Sequence, residues 1–400
     1  MNEFEQELAG RLAAIREQGL YRQLRRINSP QLPHTQVDGQ TLLNFSSNDY
    51  LGLANSPLLK EAAIKGIERY GAGSGASRLI CGSLAPHHEL EEALAAFKGA
   101  ESALTFSSGY AAAAGTICAL LDAHDVIIFD KRVHACVIDA ARLCGAEQRV
   151  FAHNDLDNLA KILGWADRRN AGLGGKRRPR TLIVSESVFS MDGDFAPLRE
   201  LVALKEKHGA WLMLDEAHAT GLYGEQRRGL AEEFGVADRI EIQMGTLGKA
   251  LGSAGGYICG SRALIEFLVN RARSFIFSTA PVPAATAAAT AAIHFVQSDE
   301  GQMRRVQLWA RVDQVKNGLI AAGFALPPIR SAIVPLMMGD EARAVDAASE
   351  LREQGIFIPA IRYPTVARGQ ARLRLTVSAS HAAADVGQLL AALAHLKSIL

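Results

Sequence analysis

The first feature that could carry chemistry is a lysine in an apolar setting. Lys249 lies between Gly248 and Ala250-Leu251, shortly after the predicted strand at 240–244, whereas the other ten lysines need no special explanation. Desolvation lowers the pKa of a lysine amine, and the uncharged amine can form an imine with a carbonyl group. Lys249 is therefore predicted to be an imine-forming lysine, the alternative being a lysine whose charged end reaches solvent.

A carboxylate lies at the end of another predicted strand, 34 residues before Lys249. Asp215 ends the apolar run Trp211-Leu212-Met213-Leu214, and open α/β sheets bind ligands at the carboxyl ends of their strands. Pyridoxal 5'-phosphate (PLP) needs a lysine for its aldehyde and a carboxylate for its pyridine nitrogen. The spacing of Asp215 and Lys249 therefore predicts PLP as the cofactor.

A phosphate group needs hydroxyls and the free N–H groups of a helix N-terminus. Ser108-Gly109-Tyr110 follows a predicted strand and opens an alanine-rich helix, and Thr246 adds a hydroxyl close to Lys249. These four residues are predicted to bind the phosphate of PLP.

A third group of interest is a pair of arginines near the C-terminal end. Alternation along Ala371–Thr376 places Arg372 and Arg374 on one strand face, opposite Leu373 and Leu375. A guanidinium group binds a carboxylate through two parallel hydrogen bonds. This strand is therefore predicted to bind the carboxylate of a substrate.

The elements that must position these residues alternate between strands and helices. Strands are predicted at 103–106, 126–129, 181–184, 211–214, 240–244 and 256–258, and helices at 88–98, 109–121, 134–143, 155–165, 196–208 and 261–273. This order predicts an α/β fold, with a mostly parallel sheet covered by helices on both faces.

The ends of the chain follow a different pattern. A helix is predicted over 4–26, a long helix over about 285–320, strands near 332–338, 355–361 and 371–377, and a closing helix from 383. We therefore expect residues 1–50 to pack with a small α+β domain formed by 289–400, and residues 51–288 to form the large cofactor-binding domain.

Composition excludes several classes of function. The 43 basic and 42 acidic residues give a net charge of +1, which argues against a nucleic-acid partner. The longest apolar stretch, 280–296, is interrupted by two prolines and is shorter than the ~18 residues of a membrane span. Five cysteines without a C-x-x-C pair indicate free thiols in a reducing compartment and no metal site. A cytoplasmic location is expected.

Two glycine-containing motifs lack the context that their function requires. The segment 71–76 matches a dinucleotide fingerprint, but a charged helical segment precedes it in place of a strand. Gly175-Lys176 lacks the remaining residues of a phosphate-binding P-loop, and the surrounding stretch 172–180 is predicted to be a solvated basic loop.

Six segments together resemble the fold-type-I PLP enzymes and, within them, the α-oxoamine synthases. The resemblance extends over nearly the whole chain. The segments are 44–53, 108–110, 188–194, 215–218, 245–249 and 275–279.

This resemblance implies roles for residues around the cofactor ring. Lys249 would bind the cofactor covalently and then act as the base at the substrate Cα. Asp215 would pair with the pyridine nitrogen, and His218 with the ring oxygen. Ser190 would lie beside the same oxygen. His134 would stack on the ring, the alternative being a surface histidine at a helix terminus.

The resemblance also implies substrate and partner residues. Arg374, assisted by Asn48, would bind the carboxylate of the amino acid. Arg22 and Arg362 are candidates for the acyl substrate, with a surface or structural role as the alternative. Thr279 would reach the cofactor phosphate of a second copy of the chain, so a homodimer with its active site at the subunit interface is expected.

Two reactions of the family remain in competition. Segments 151–155, 273–277 and 360–376 resemble members that condense L-alanine with a pimeloyl thioester in biotin synthesis. Segments 17–21, 29–31 and 245–252 resemble members that use glycine and acetyl-CoA. The first reaction is favoured because 360–376 contains the proposed substrate arginines. Whether CoA or a carrier protein holds the acyl group stays open.

One feature departs from the family pattern, because Glu216 follows Asp215 where a second aspartate is common. From other classes, a nucleotide-binding oxidoreductase or a non-catalytic α/β scaffold remains an alternative.

Overall fold

The structure is a computed structural model that describes residues 2–172 and 178–399. Contacts between Cα atoms divide it into two compact units. The central unit contains Leu51–Ser190 and Asp194–Val306, and the terminal unit contains Met1–Tyr50, Met191–Gly193 and Gln307–Leu400. The central unit ends at Val306, later in the chain than the predicted boundary at 288. The reason is that the helix Pro283–Gln297 packs against helices of the central unit.

Helices lie along the whole of the described chain. They are α1 (Glu3–Glu17), α2 (Pro57–Tyr70), α3 (Ala85–Lys98), α4 (Gly109–Leu120), α5 (Ala135–Cys144), α6 (Leu156–Gly172), α7 (Leu198–Lys207), α8 (Leu230–Glu233), α9 (Arg262–Arg271), α10 (Arg273–Ile276), α11 (Pro283–Gln297), α12 (Asp299–Ala321), α13 (Glu341–Glu353) and α14 (Ala383–Ile399).

The strands alternate with these helices in the middle of the chain. They are β1 (His34–Val37), β2 (Gln40–Asn44), β3 (Ser102–Phe106), β4 (Val126–Asp130), β5 (Glu147–Phe151), β6 (Thr181–Glu186), β7 (Trp211–Asp215), β8 (Ile242–Thr246), β9 (Gly256–Gly260), β10 (Ile333–Gly339), β11 (Ile356–Phe357), β12 (Ala360–Ile361) and β13 (Ala371–Thr376).

The central unit is built on a seven-stranded sheet within the described residues, in the order β3-β9-β8-β7-β6-β4-β5. Strand β9 runs antiparallel to β3 and β8, and the other neighbours are parallel. The mostly parallel α/β sheet predicted from the sequence is therefore confirmed. Strands β4, β6 and β7 consist largely of buried apolar residues, as expected of strands covered by helices.

Register places the carboxyl ends of three strands side by side. Glu186 of β6 pairs with Asp215 of β7, and Asp215 pairs with Met244 of β8. Polar residues that follow these positions therefore meet at one edge of the sheet.

The terminal unit contains two smaller sheets and agrees with the expected α+β pattern. Strands β10, β13 and β12 form an antiparallel sheet, and β2 pairs with β1 and with β11. Helix α13 packs against β10 and β13 and contacts α14.

Several predicted elements differ in extent from the observed ones. The first helix ends at Glu17, not at residue 26, because Gly19 adopts a left-handed conformation with φ of 66°. The predicted helix at 285–320 is two helices, α11 and α12, separated at Ser298, whose Oγ accepts the N–H of Gly301 at 3.2 Å. The strand at 355–361 is interrupted at Pro359, which has no N–H to donate.

Strand β5 was missed, because its sequence Glu147–Phe151 is mostly polar. No helix among the described residues is long and apolar enough to cross a membrane. Most of the predicted basic loop at 172–180 lies outside the described residues.

Candidate active site

Lys249 lies in a tight turn directly after β8. The turn is held by backbone hydrogen bonds, from Leu247 N to Gly255 O at 3.0 Å and from Gly252 N to Lys249 O at 2.9 Å. Gly252 is required here, because its φ is 60° and a Cβ would lie 2.6 Å from the Leu53 carbonyl carbon. The Nζ of Lys249 lies 2.8 Å from His218 Nε2. A rigid turn thus directs the amine toward the imidazole.

Asp215 is the last residue of β7, and its carboxylate is buried. One oxygen accepts the N–H of Ala217 at 2.9 Å. Burial raises the pKa of Asp215, and the positive charge of Lys249 opposes this rise. The carboxylate therefore lies where a protonated nitrogen would stabilise it.

The start of α4 faces the end of β8. Ser108 caps the helix, accepting the N–H of Ala111 at 3.1 Å. A Cβ on Gly109 would lie 2.6 Å from Thr246 Cγ2, so the helix approaches the strand this closely only with glycine. The Thr246 hydroxyl is buried without a hydrogen-bond partner among the described residues. Such a hydroxyl calls for a polar ligand.

His134 caps the N-terminus of α5, with Nδ1 accepting the N–H of Cys136 at 3.3 Å. Burial lowers the pKa of His134, although the Asp215 charge opposes this shift. The imidazole is therefore neutral near pH 7. Ser190 is also buried, and its N–H donates to Glu186 Oε2 at 3.2 Å.

A cavity of about 150 Å³ brings most of these residues together. Of the residues predicted from sequence, it is lined by Gly109, Tyr110, His134, Ser190, Asp215, His218, Thr246 and Lys249. Two predicted residues lie elsewhere in the same unit. Ser108 adjoins the lining at the cap of α4, and exposed Thr279 forms an antiparallel bridge with Ser77.

Sequence reasoning missed an acidic residue of this cavity, Glu186. Its side chain is fully buried, and Oε1 has no hydrogen-bond partner among the described residues. Burial, reinforced by the charge of Asp215, raises the pKa of Glu186 to about 8. Its position in the sequence could have identified it, because an acid at the end of a buried strand lies at the edge of the sheet where ligands bind. The strand was predicted to end two residues too early, at Val184.

The tyrosine of the predicted phosphate site has a partner of its own. Tyr110 is half exposed, and its hydroxyl donates to Asp139 Oδ2 at 2.8 Å. Its backbone N–H, near the first turn of α4, remains the group suited to an anion.

In the terminal unit, the two arginines of β13 share a strand face but have different partners. Arg374 Nη1 donates to Asn48 Oδ1 at 3.1 Å and to Thr376 Oγ1 at 2.9 Å. Arg372 forms an ion pair with Asp192 at 2.8 Å and also donates to Met191 O. Asn48 and Arg374 are thus brought together, whereas Arg372 is committed to an internal contact.

Arg22 and Arg362 meet at a second cavity, which lies within the terminal unit and has a volume of about 1110 Å³. Arg362 donates to Tyr21 O at 3.0 Å and to Gly19 O, and Arg22 donates to Tyr363 O at 3.4 Å. The cavity also contains Arg25, Arg352 and Asp38, of which Asp38 pairs with both arginines. The excess of guanidinium groups makes this cavity suited to an anion.

The chain is similar to known proteins over nearly its whole length. Residues 40–393 match the model of the family described as aminotransferase class I and II. A protein of Geotalea daltonii named 8-amino-7-oxononanoate synthase is 47% identical over 385 residues, which cover 96% of each chain.

Solved structures give the same result for the fold. A serine palmitoyltransferase from S. paucimobilis, in a complex with PLP and myriocin, superposes with a TM-score of 0.90 at 29% identity, covering 98% of this chain and 97% of that one. An 8-amino-7-oxononanoate synthase from Francisella tularensis superposes with a TM-score of 0.73 at 27% identity, covering 90% of this chain and 98% of that one.

Proposed function

Because this chain belongs to the aminotransferase class I and II family, we propose that it condenses L-alanine with a pimeloyl thioester. The products are 8-amino-7-oxononanoate, carbon dioxide and the free thiol carrier, and the reaction belongs to biotin biosynthesis. The observation that carries the proposal is the placement of Lys249 and Asp215 in one cavity. The resemblance to named 8-amino-7-oxononanoate synthases extends over nearly the whole chain.

PLP is the cofactor, and the residues of the cavity fit it. The unpartnered Thr246 hydroxyl and the close approach of Gly109 offer a cradle for a phosphate. Lys249 offers the amine that binds an aldehyde, and Asp215 offers the carboxylate that holds a pyridine nitrogen in its protonated form. When bound, PLP supplies an electron sink that stabilises negative charge at the substrate Cα.

Lys249 has two tasks in this proposal. It anchors the cofactor, and after the substrate amine has displaced it, Nζ accepts the proton from the substrate Cα. The neighbouring His218 Nε2, 2.8 Å away, orients the amine and keeps it within reach of that proton.

His134 and Ser190 are the residues that would hold the cofactor ring in position. The neutral His134 imidazole would pack against the ring face without adding a charge that competes with Asp215. With PLP bound, Ser190 and His218 would donate hydrogen bonds to the ring oxygen. Glu186 retains its proton near neutral pH, which keeps a second negative charge away from Asp215.

Substrate binding is assigned to the terminal unit. Arg374 binds the alanine carboxylate, with its orientation fixed by Asn48 and Thr376. Arg22 and Arg362 bind the acyl substrate, which is supported by the excess of guanidinium groups around their cavity.

Two subunits are expected to complete each site. In this proposal Thr279 reaches the cofactor phosphate of the partner copy. The Ser77–Thr279 bridge is flanked in sequence by three exposed apolar residues, Leu79, Ile80 and Phe277. Exposed apolar residues of this kind support a surface that a second copy of the chain covers. We further propose that the enzyme works in the cytoplasm.

A product assay tests the proposed reaction. The purified protein is incubated with L-alanine or glycine, each with pimeloyl-CoA or acetyl-CoA, and products are identified by mass. Only the alanine and pimeloyl-CoA pair should give efficient turnover. Turnover confined to glycine and acetyl-CoA would instead assign the competing reaction of the family.

A further inference from the structure

His153 lies between two carboxylates beside the cofactor cavity. Its Nδ1 is 2.9 Å from Asp130 Oδ1, and its Nε2 is 2.7 Å from Asp194 Oδ2. A neutral imidazole has a single N–H, so two carboxylate partners require both ring nitrogens to donate. The geometry therefore describes a positively charged imidazolium.

The Asp130 end of this bridge fixes the loop that leads to His134. Asp130 is the last residue of β4, and its carboxylate also accepts the N–H groups of Arg132 and Asn154, each at 2.8 Å. Its carbonyl accepts the N–H of Val133 at 3.2 Å. The residue before the cap of α5 is thus tied to the same aspartate that His153 contacts.

The Asp194 end fixes the loop that carries Ser190. The carbonyl of Asp194 accepts the N–H of Phe189 at 3.0 Å. Asn154, next to His153, donates from Nδ2 to Phe195 O at 3.0 Å. The Phe189 ring packs edge-on against the His153 ring, with centroids 4.4 Å apart. His153 and Asn154 therefore join this loop to the end of β4.

We propose that His153 is a positioning residue whose imidazolium joins the His134 loop to the Ser190 loop and so sets the placement of both side chains in the cavity. His153 itself does not line the cavity. The inference rests on the proposed function, because the two loops have this task only if PLP binds between them.

The bridge depends on pH. The charged groups that face His153 are Asp130 and Asp194, and its other neighbours, Phe189 and Asn154, are neutral. Burial lowers the pKa of His153, but the hydrogen bonds to Asp130 and Asp194 outweigh this effect and raise the pKa to about 9. A raised pKa means that the stabilisation is fully present below about pH 6.5 and is lost as pH rises through about 9.

The test compares His153→Gln with His208→Gln. His208 is a matched control, since it is a similarly buried histidine of the same unit, pairs with Asp167 at 2.6 Å and does not line the cavity. PLP dissociation from each holoenzyme is followed by fluorescence, together with the circular dichroism of bound PLP. Replacing a residue that orients a metal ligand typically weakens metal binding by about 10–100-fold. By analogy, His153→Gln should weaken PLP binding by about 10–100-fold. His208→Gln should behave as wild type.

A second variant separates positioning from general stability. In Asp194→Asn one of the two negative charges is removed, so the pKa of His153 falls. The pH at which the PLP dichroism is lost should then move down, whereas a purely structural role would change the melting temperature alone. This variant decides the question if His153→Gln fails to fold.

Wild-type PLP affinity in His153→Gln, or an unmoved pH midpoint in Asp194→Asn, would overturn the proposal. Failure of the wild-type protein to bind PLP would appear before any variant is compared. That result would overturn the proposed function and this inference with it.

Discussion

Lys98 Nζ donates to Glu216 Oε2 at 2.5 Å, and both side chains are fully buried. Glu216 directly follows Asp215, and its other oxygen accepts the N–H of Ala231 at 2.9 Å. Apart from Lys249, the chain therefore contains a lysine, Lys98, that is buried and whose charge is neutralised by a carboxylate. The expectation that the other ten lysines need no explanation was wrong for Lys98. Glu216, the residue that departs from the family pattern, is this partner.

Lys98→Met should destabilise the protein strongly, because it leaves the Glu216 charge buried without its partner. Breaking a buried ion pair by removing one member costs about 3–5 kcal/mol. Urea unfolding measures the change. Lys65→Met is the control, since Lys65 pairs with Glu61 in solvent and its loss should leave the midpoint unchanged. Equal midpoints for both variants would contradict the account of this pair.

Gly109→Ala should weaken PLP binding, because the new Cβ would lie 2.6 Å from Thr246 Cγ2 and separate α4 from β8. Gly164→Ala in α6 is the control, because its new Cβ would contact only the flexible end of Arg168, at 3.6 Å. This variant should stabilise the helix by about 0.5–1 kcal/mol. Fluorescence titration with PLP distinguishes the two variants. Unchanged affinity in Gly109→Ala would exclude this contact as part of the phosphate cradle.

Arg374→Lys and Arg372→Lys should have different consequences. Lysine cannot supply the bidentate contact to a carboxylate, so Arg374→Lys should raise the KM for alanine by about 10–100-fold. Arg372 serves an internal ion pair with Asp192, so Arg372→Lys should lower stability by about 1–3 kcal/mol and leave this KM near its wild-type value. Steady-state kinetics and thermal melting separate the effects. A reversed pattern would assign the substrate to Arg372.

Glu186→Gln should change how stability depends on pH. Burial raises the pKa of Glu186 to about 8, so its contribution to stability is present below about pH 4.5 and is lost as pH rises through about 8. After removal of PLP, the variant should match the wild type at pH 5 and exceed its melting temperature at pH 8.5. Parallel melting curves at both pH values would show that this carboxyl ionises normally.

The sequence was most informative where a local pattern decides the structure. Strand-ending Asp215 and the turn around Lys249 were predicted correctly as neighbours, since parallel strands bring their carboxyl ends to one edge. The helix start at His134 follows from the same alternation.

What the sequence could not provide depends on contacts between distant residues. The break at Ser298 interrupts a long helical pattern through a single capping hydroxyl. The pKa of Glu186 is raised by burial among elements that are distant in the sequence, and the pKa of His153 is raised by Asp130 and Asp194, which lie 23 and 41 residues away. The different partners of Arg372 and Arg374 likewise come from distant segments, because Asp192 and Asn48 lie 180 and 326 residues away.

The central claim is that Lys249 binds PLP covalently, and borohydride reduction tests it most directly. The reduced protein is digested, and the modified peptide is identified by mass spectrometry. We predict that PLP is fixed to Lys249 alone, that Lys249→Ala loses both the label and turnover, and that exposed Lys207→Ala retains both. Labelling of a different lysine, or turnover by Lys249→Ala, would contradict the account.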